Sequence, residues 1–276
     1  MATFSKLAKP SAHHDEKTWA GSASTTTITG LGFQPDWFHI KKRNGTADHS
    51  VTDTVRGLTK NVNFNNTDGE DTATLIASVT SDGCTLTGGE NEVNAASGGY
   101  IGHFFKLASS TTASTGVGSI DSSYRANTDS GISVVTWTGT GSAGTIAHGL
   151  GKIPDMILHK DIEQDGYHWD SYWHGGNRTS QGNPINETDE LDFFDHDRAV
   201  NDDNTYWNDT APTSTVFSVG TKNNVNQSGI DQMAIVIANT NGSVRAGVYQ
   251  GNGNAHGPFI FTGFKPRAIW IKRYDA

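Results

Sequence analysis

Apolar residues gather in short runs of four to seven, bounded by Gly, Asn, Ser and Thr, and nowhere take the three-to-four spacing of an amphipathic helix. Trp37-Phe-His-Ile40, Met156-Ile-Leu-His159 and Ala268-Ile-Trp-Ile271 are nearly continuous apolar runs followed by lysine, and each predicts a central strand of a sandwich. A proline lies just before each run, where it costs the ladder no hydrogen bond. Val134-Val-Thr-Trp137 and Thr145-Ile-Ala-His148 predict two more strands, joined by a glycine turn over 139–144. Thr85-Leu86 and Thr215-Val-Phe-Ser-Val219 predict others, and no segment predicts a long helix.

One phrase is written three times. It begins at Trp19, Trp137 and Tyr249, passes through Pro35, Pro154 and Pro266, and ends at Lys42, Lys160 and Lys272. The first two prolines are 119 residues apart and the last two 112, a period the size of a domain and too long for a solenoid unit. A second phrase, Val93-Asn94-Ala-Ala-Ser97-Gly98 ahead of Tyr100-Ile-Gly-His-Phe-Phe-Lys106, returns as Val225-Asn226-Gln-Ser228-Gly229 ahead of Met233-Ala-Ile-Val-Ile-Ala238. Each copy therefore has an opening and a closing strand. Asn94 and Asn226 are 132 residues apart, so the second copy carries about 13 extra residues between its landmarks. Residues 108–118 are rich in Ser, Thr and Gly and predict a linker or surface crossover. The third phrase has no second phrase behind it, so its strands are expected either to complete the second domain's sheet or to belong to a longer array. The expected fold is all-β: two tandem antiparallel β-sandwich domains of jelly-roll or lectin-like form. Residues 1–118 form the first, with an N-terminal attachment segment, and residues 119–276 the second, including the third phrase.

Composition agrees. A chain of 276 residues can build two such cores, and 32 Gly, 7 Pro and 18% charged residues are all-β usage. The single cysteine, Cys84, excludes an intrachain disulfide, so the fold rests on packing and subunit association, with assembly expected in a reducing cytoplasm. Residues 1–10 lack the apolar core of a signal peptide, and no run approaches the roughly 18 apolar residues of a membrane span. Of the net charge of −9, residues 161–209 hold 13 acids against Arg178 and Arg198, leaving the rest near neutral. With no basic stripe to neutralise phosphates, the pattern argues against nucleic acid and anionic membranes as partners.

Catalytic motifs are weak. Gly139-Thr-Gly-Ser-Ala-Gly144 matches a dinucleotide fingerprint as a string, but a strand and another glycine turn follow where that chemistry needs a helix. Cys84 sits where the second copy has Phe217, which marks it as a buried, inert thiol. His13-His14-Asp15-Glu16 reads as a solvated approach to the first strand. Local chemical promise lies in residues 161–209, where three of seven tryptophans stand among acids. Trp169, Tyr172, Trp173 and Trp207 with Asp170 are candidates to bind a glycan, since aromatic faces stack on sugar C–H groups while carboxylates accept from hydroxyls. Asp195, Asp197, Asp202 and Asp203 are candidate hard-oxygen ligands for calcium, though without the spacing of a calcium loop. Against both stands the plain alternative that the tryptophans are core and the acids a solvated rim. No catalytic residue is assigned, and the chain is not read as an enzyme.

The phrase Gly30-Leu-Gly-Phe-Gln-Pro-Asp-Trp-Phe-His-Ile-Lys41, with Asp53-Thr-Val-Arg-Gly57, Thr59-Lys60, Ser81-Asp-Gly83 and Tyr206-Trp-Asn-Asp-Thr-Ala-Pro-Thr-Ser-Thr-Val-Phe-Ser-Val-Gly220, closely resembles a tandem domain of tailed-phage virion proteins of marine type. The resemblance covers nearly the whole chain, least so residues 1–18 and 161–194. It implies β-sandwich domains in a non-enzymatic structural part of a phage particle, a tail fibre or a head or tail appendage that contacts the host surface. It also implies a homo-oligomer, preferably a trimer, beside other virion proteins. The alternative is a carbohydrate-binding module that recognises host glycans through residues 161–209.

Overall fold

The computed structural model describes residues 9–173, 191–193, 195–196 and 202–273. After one 3-10 turn (Pro10–Ala12), the first half forms β1 (His14–Ala20), β2 (Thr26–Ile28), β3 (Trp37–Lys42), β4 (Ser50–Asp53), β5 (Gly57–Asn63), β6 (Asp71–Thr72), β7 (Ile76–Thr80), β8 (Gly83–Leu86) and β9 (Gly99–Phe105). The second half forms β10 (Thr112–Ser114), β11 (Ser122–Asn127), β12 (Ile132–Thr138), β13 (Gly144–Ala147), β14 (Met156–Asp161), β15 (Trp169–Trp173), β16 (Leu191–Phe193), β17 (Val216–Val219) and β18 (Asp231–Ile237). Two single-turn helices, α1 (Asn204–Trp207) and α2 (Asn223–Asn226), flank β17. The chain is all-β, and among the described residues its ladders are antiparallel apart from one isolated parallel bridge, Ile120 to Ile146.

The two halves repeat one sheet order. The first large sheet runs β1-β9-β3-β4-β5-β6 and the second β10-β11-β12-β18-β14-β15-β16, so β1, β9, β3, β4 and β5 match β12, β18, β14, β15 and β16. Register repeats as well: Trp37 lies opposite Phe105 as Met156 lies opposite Ile237. A small sheet, β2-β8-β7 in one half and β13-β17 in the other, covers the outer face of each large sheet.

Alternation along the strands gives the packing. In β3, Phe38 and Ile40 point into the first unit's own core with Ile28, Cys84 and Leu86, while Trp37 points the other way. In β14, Ile157 joins Ile146 and Phe217, while Met156 and Leu158 point away from them. The residues that point away meet one another. Trp37, Val51, Val62, Phe64 and Phe105 pack against Val134, Met156, Leu158, Trp169, Met233 and Ile235, a third core between the two large sheets. The layers therefore run small, large, large, small, and β3, β14 and β18 are apolar at consecutive positions because both faces are covered. Polar contacts reinforce the seam: Arg125 of β11 meets Asp36 at 3.0 Å, and the indole of Trp169 donates to the Asn63 carbonyl at 2.8 Å.

Each opening hairpin is held by the asparagine of the second phrase. Buried Asn94 accepts from the Ser22 N–H and donates to the Ser24 and Thr87 carbonyls; buried Asn226 accepts from the Thr140 N–H and donates to the Ser142 and Gly220 carbonyls. Gly21 and Gly139 must be glycine there, since a Cβ would fall 2.1 Å from the Ala95 carbonyl oxygen and 2.2 Å from that of Gln227. The fingerprint-like string is thus half of an asparagine-latched hairpin.

Two expectations are corrected. Residues 112–114, read as linker, form the edge strand β10. Residues 268–271, read as a central strand, form none, and the described residues after β18 add nothing to the second sheet.

Candidate functional site

The pair β14–β15 carries most of the residues singled out for chemistry. Trp169 is fully buried in the shared core, edge-on to Phe64 with ring centroids 4.8 Å apart. Tyr172 points to the opposite side and meets Trp207 of α1 at 5.8 Å, both inside the second unit's own core. Trp173 is half-buried against the shared core, and its indole donates to the Ser171 hydroxyl at 2.9 Å. The proposed sugar platform is therefore not there: Trp169, Tyr172 and Trp207 are each at most 1% exposed and present no face to a ligand. The reason is the sheet geometry, which gives β15 a core on either side and needs large side chains to fill both.

The acids are also bound up internally. Asp170 is fully buried, 3.8 Å from Nδ1 of His159. Asp195 meets Nδ1 of His168 at 3.0 Å and accepts from the Trp169 N–H at 3.3 Å. Asp203 caps α1 by accepting from the Thr205 N–H at 2.9 Å, and pairs with Lys222 at 3.0 Å. Asp202 is exposed, and Asp197 lies outside the described residues. Among the described residues no three His, Cys, Asp or Glu side chains are grouped to hold a metal ion, so the calcium set does not assemble there.

Near these carboxylates lies a buried cation, Lys160. Its side chain is fully buried at the seam, where the ammonium donates to the Tyr167 carbonyl at 2.8 Å and reaches the Thr67 carbonyl at 3.4 Å. Burial lowers its pKa, and the charges of Asp161, Asp195, Asp170 and Asp68 pull it back up. Burial raises the pKa of Asp161 and of Asp195.

A second cluster escaped the sequence. His14 of β1, His103 of β9, His39 of β3 and His49 stack in a row across the first large sheet, with successive ring centroids 5.7, 5.8 and 5.3 Å apart. Nε2 of His39 meets Nδ1 of His49 at 3.0 Å, and Phe64 and Trp270 stand edge-on to the His39 ring. Burial, ahead of the neighbouring positive charges, lowers the pKa of His14 to about 4 and of His39 to about 3 and lowers that of His49; burial also lowers that of His103, against the pull of Glu16. His14 is thus part of a packed edge strand, not a solvated approach. Only strand pairing, which sets His39 opposite His103, brings the row together, and no spacing in the sequence encodes it. The row is a stack of neutral imidazoles able to take up protons only in acid. Cys84 is fully buried, and burial raises its thiol pKa to about 12, as an inert core residue requires.

Two β-sandwich units fused through the inner faces of their large sheets define a tandem all-β scaffold. Residues 9–276 match the family described as Domain of unknown function (DUF7483), and the chain belongs to that family. No curated protein and no solved structure matches it.

Proposed function

We propose that this chain is a non-enzymatic structural part of a phage particle, a tail fibre or a head or tail appendage, assembled in the host cytoplasm and acting in the virion as a homo-oligomer, preferably a trimer. The observation that carries the reading is the fused core. A part that transmits force outside the cell gains from units that cannot swing, and here Trp37, Phe64, Trp169 and Leu158 lock the two large sheets together. Two polar contacts serve the same end: Lys160, whose ammonium reaches the Thr67 carbonyl of the other unit at 3.4 Å, and the Arg125–Asp36 pair. The placement on a phage particle comes from the resemblance of the long phrases to tailed-phage virion proteins. A carbohydrate-binding module is the weaker reading, since Trp169, Tyr172 and Trp207, from which it was argued, are core.

The test is to purify particles of the encoding phage, identify their proteins by mass spectrometry, and label them with gold-tagged antibody raised against this chain. The expected result is the chain among the particle proteins and label on the tail or on a head appendage. Its absence from particles overturns the proposal.

A further inference from the structure

Residues 257–271 run as a strap over the inner face of the first large sheet, and two of its side chains come down on the histidine row. Trp270 stands edge-on to His39, Trp37 and Phe64, with ring centroids 5.8, 6.2 and 5.7 Å away. The Arg267 guanidinium donates to Asp15 of β1, next to His14. Between the strap and the two large sheets lies a cavity of about 1890 Å³, lined by His14, Trp37 and Phe105 of the first unit and by Met156 and Ile237 of the second. A segment that bounds a void gives up the dispersion contacts of that side, so the side chains that do touch weigh more in its seat.

The row beneath is built to stay uncharged. Nε2 of His14, Nδ1 of His39 and Nδ1 of His103 are buried with no hydrogen-bond partner among the described residues. Arg267 of the strap and His103 of β9 oppose a charge on His14, while Lys41, His49 and His103 oppose one on His39. Lys41 opposes one on His49 too. Asp15, Glu16 and Asp48 favour charge on His14, His103 and His49 in turn. Of these, Asp15 already pairs with Lys17 and Arg267, and Asp48 accepts from the Asn65 amide. Burial is the largest influence on all four rings.

We propose that the strap is a pH-sensitive latch: in mild acid the histidine row takes up protons, Trp270 and Arg267 let go, and residues 257–271 lift from the first sheet while both sandwiches stay folded. Linkage fixes its direction. With the strap seated, His39 takes a proton only near pH 3 and His14 near pH 4; with it lifted and water at the row, both return toward their ordinary 6.5. Acid therefore favours the lifted state, and each histidine so freed multiplies the ratio of lifted to seated by about ten per pH unit below 6.5. A charge on His14 also repels Arg267, which works in the same direction.

Fluorine NMR of the full chain with 5-fluorotryptophan at its seven tryptophans tests this, the Trp270 signal being assigned by its loss in Trp270→Phe. Between about pH 7 and about pH 4.5 that signal should pass to the position of a water-exposed indole, the ratio of lifted to seated rising more than about threefold per pH unit. The signals of Trp137 and Trp207, in the second unit's own core, should keep their folded positions. With His14→Gln and His39→Gln together, the change should need at least about one pH unit more acid. A Trp270 signal that stays in place, a less steep ratio, or a signal that moves only together with those of Trp137 and Trp207 overturns the proposal, and so does a double variant without that shift. If the double variant does not fold, or is already lifted at neutral pH, the steepness in the unsubstituted chain decides alone, because it counts the protons taken up on lifting.

Discussion

Lys160 is the residue with most at stake, because a buried ammonium and the carboxylates around it are tolerable only together. Lys160→Met removes the charge that Asp161, Asp195 and Asp170 feel and strips the Tyr167 carbonyl of its donor, which should cost about 1–3 kcal/mol in urea denaturation. A loss below about 1 kcal/mol would show that the acids do not depend on it. Trp169→Ala should cost about 3–5 kcal/mol, since it opens a cavity between Phe64 and the second sheet. A Trp169→Ala protein with unchanged stability would restore that residue as a candidate for binding. The histidine row sets a pH dependence. His39 has its pKa lowered to about 3 from 6.5, so between those values the unfolded chain binds a proton that the folded chain refuses. Stability is then full above pH 6.5 and falls as pH drops through this window, at up to about 1.4 kcal/mol per pH unit for each such group. His14, His49, His103 and His159 act in the same sense, while Asp161 and Asp195, with raised pKa, oppose it at lower pH. The urea midpoint should fall between pH 7 and pH 5, and fall less in His39→Phe. A midpoint that stays level across that range would mean the row is not protected from water.

At the scale of elements, legibility divides between local and non-local causes. The strand runs at 37–40, 134–137 and 156–159 were readable because period and composition are local, and their equivalence was readable because whole phrases recur. The shared core was not, since nothing in the spacing of Trp37 or Leu158 says that the face turned from one core meets the other unit. For the same reason Trp169 among acids could be read equally as a ligand platform or as core. Residues 268–271 show the limit most plainly: the same run that makes β3 and β14 makes no strand here, because a strand is defined by its neighbours. This segment gives an asymmetric prediction along three residues. Trp270→Ala should lower the melting temperature measurably, because that ring packs on Trp37, His39 and Phe64. Ile269→Asp and Ile271→Asp should change stability by no more than about 0.5 kcal/mol and improve solubility, because both side chains face solvent. Equal effects of the two kinds of substitution would mean the segment lies differently.

For the whole molecule, the decisive quantity is how much each unit depends on the other. Each has a private core under its small sheet, which argues for independence; the indoles of Trp37 and Trp169 and the mid-strand positions Val51, Val62, Val134, Leu158, Met233 and Ile235 lie in the core they share, which argues against it. Burial decides the balance. Separated halves would expose Trp37, Phe64 and Trp169 at once, and three aromatic side chains at roughly 2–3 kcal/mol each approach the whole stability of an ordinary domain. The intact chain should therefore unfold in one cooperative transition seen alike by tryptophan fluorescence and far-ultraviolet circular dichroism. Residues 1–107 produced alone should aggregate, or recover native fluorescence only when mixed with residues 108–276, the cut that leaves β10 with its own sheet. Two separate transitions, or a first half that is monomeric and folded by itself, would mean that the seam between the large sheets is a contact between finished domains, and the rigidity argued for a particle component would have to come from assembly with other subunits.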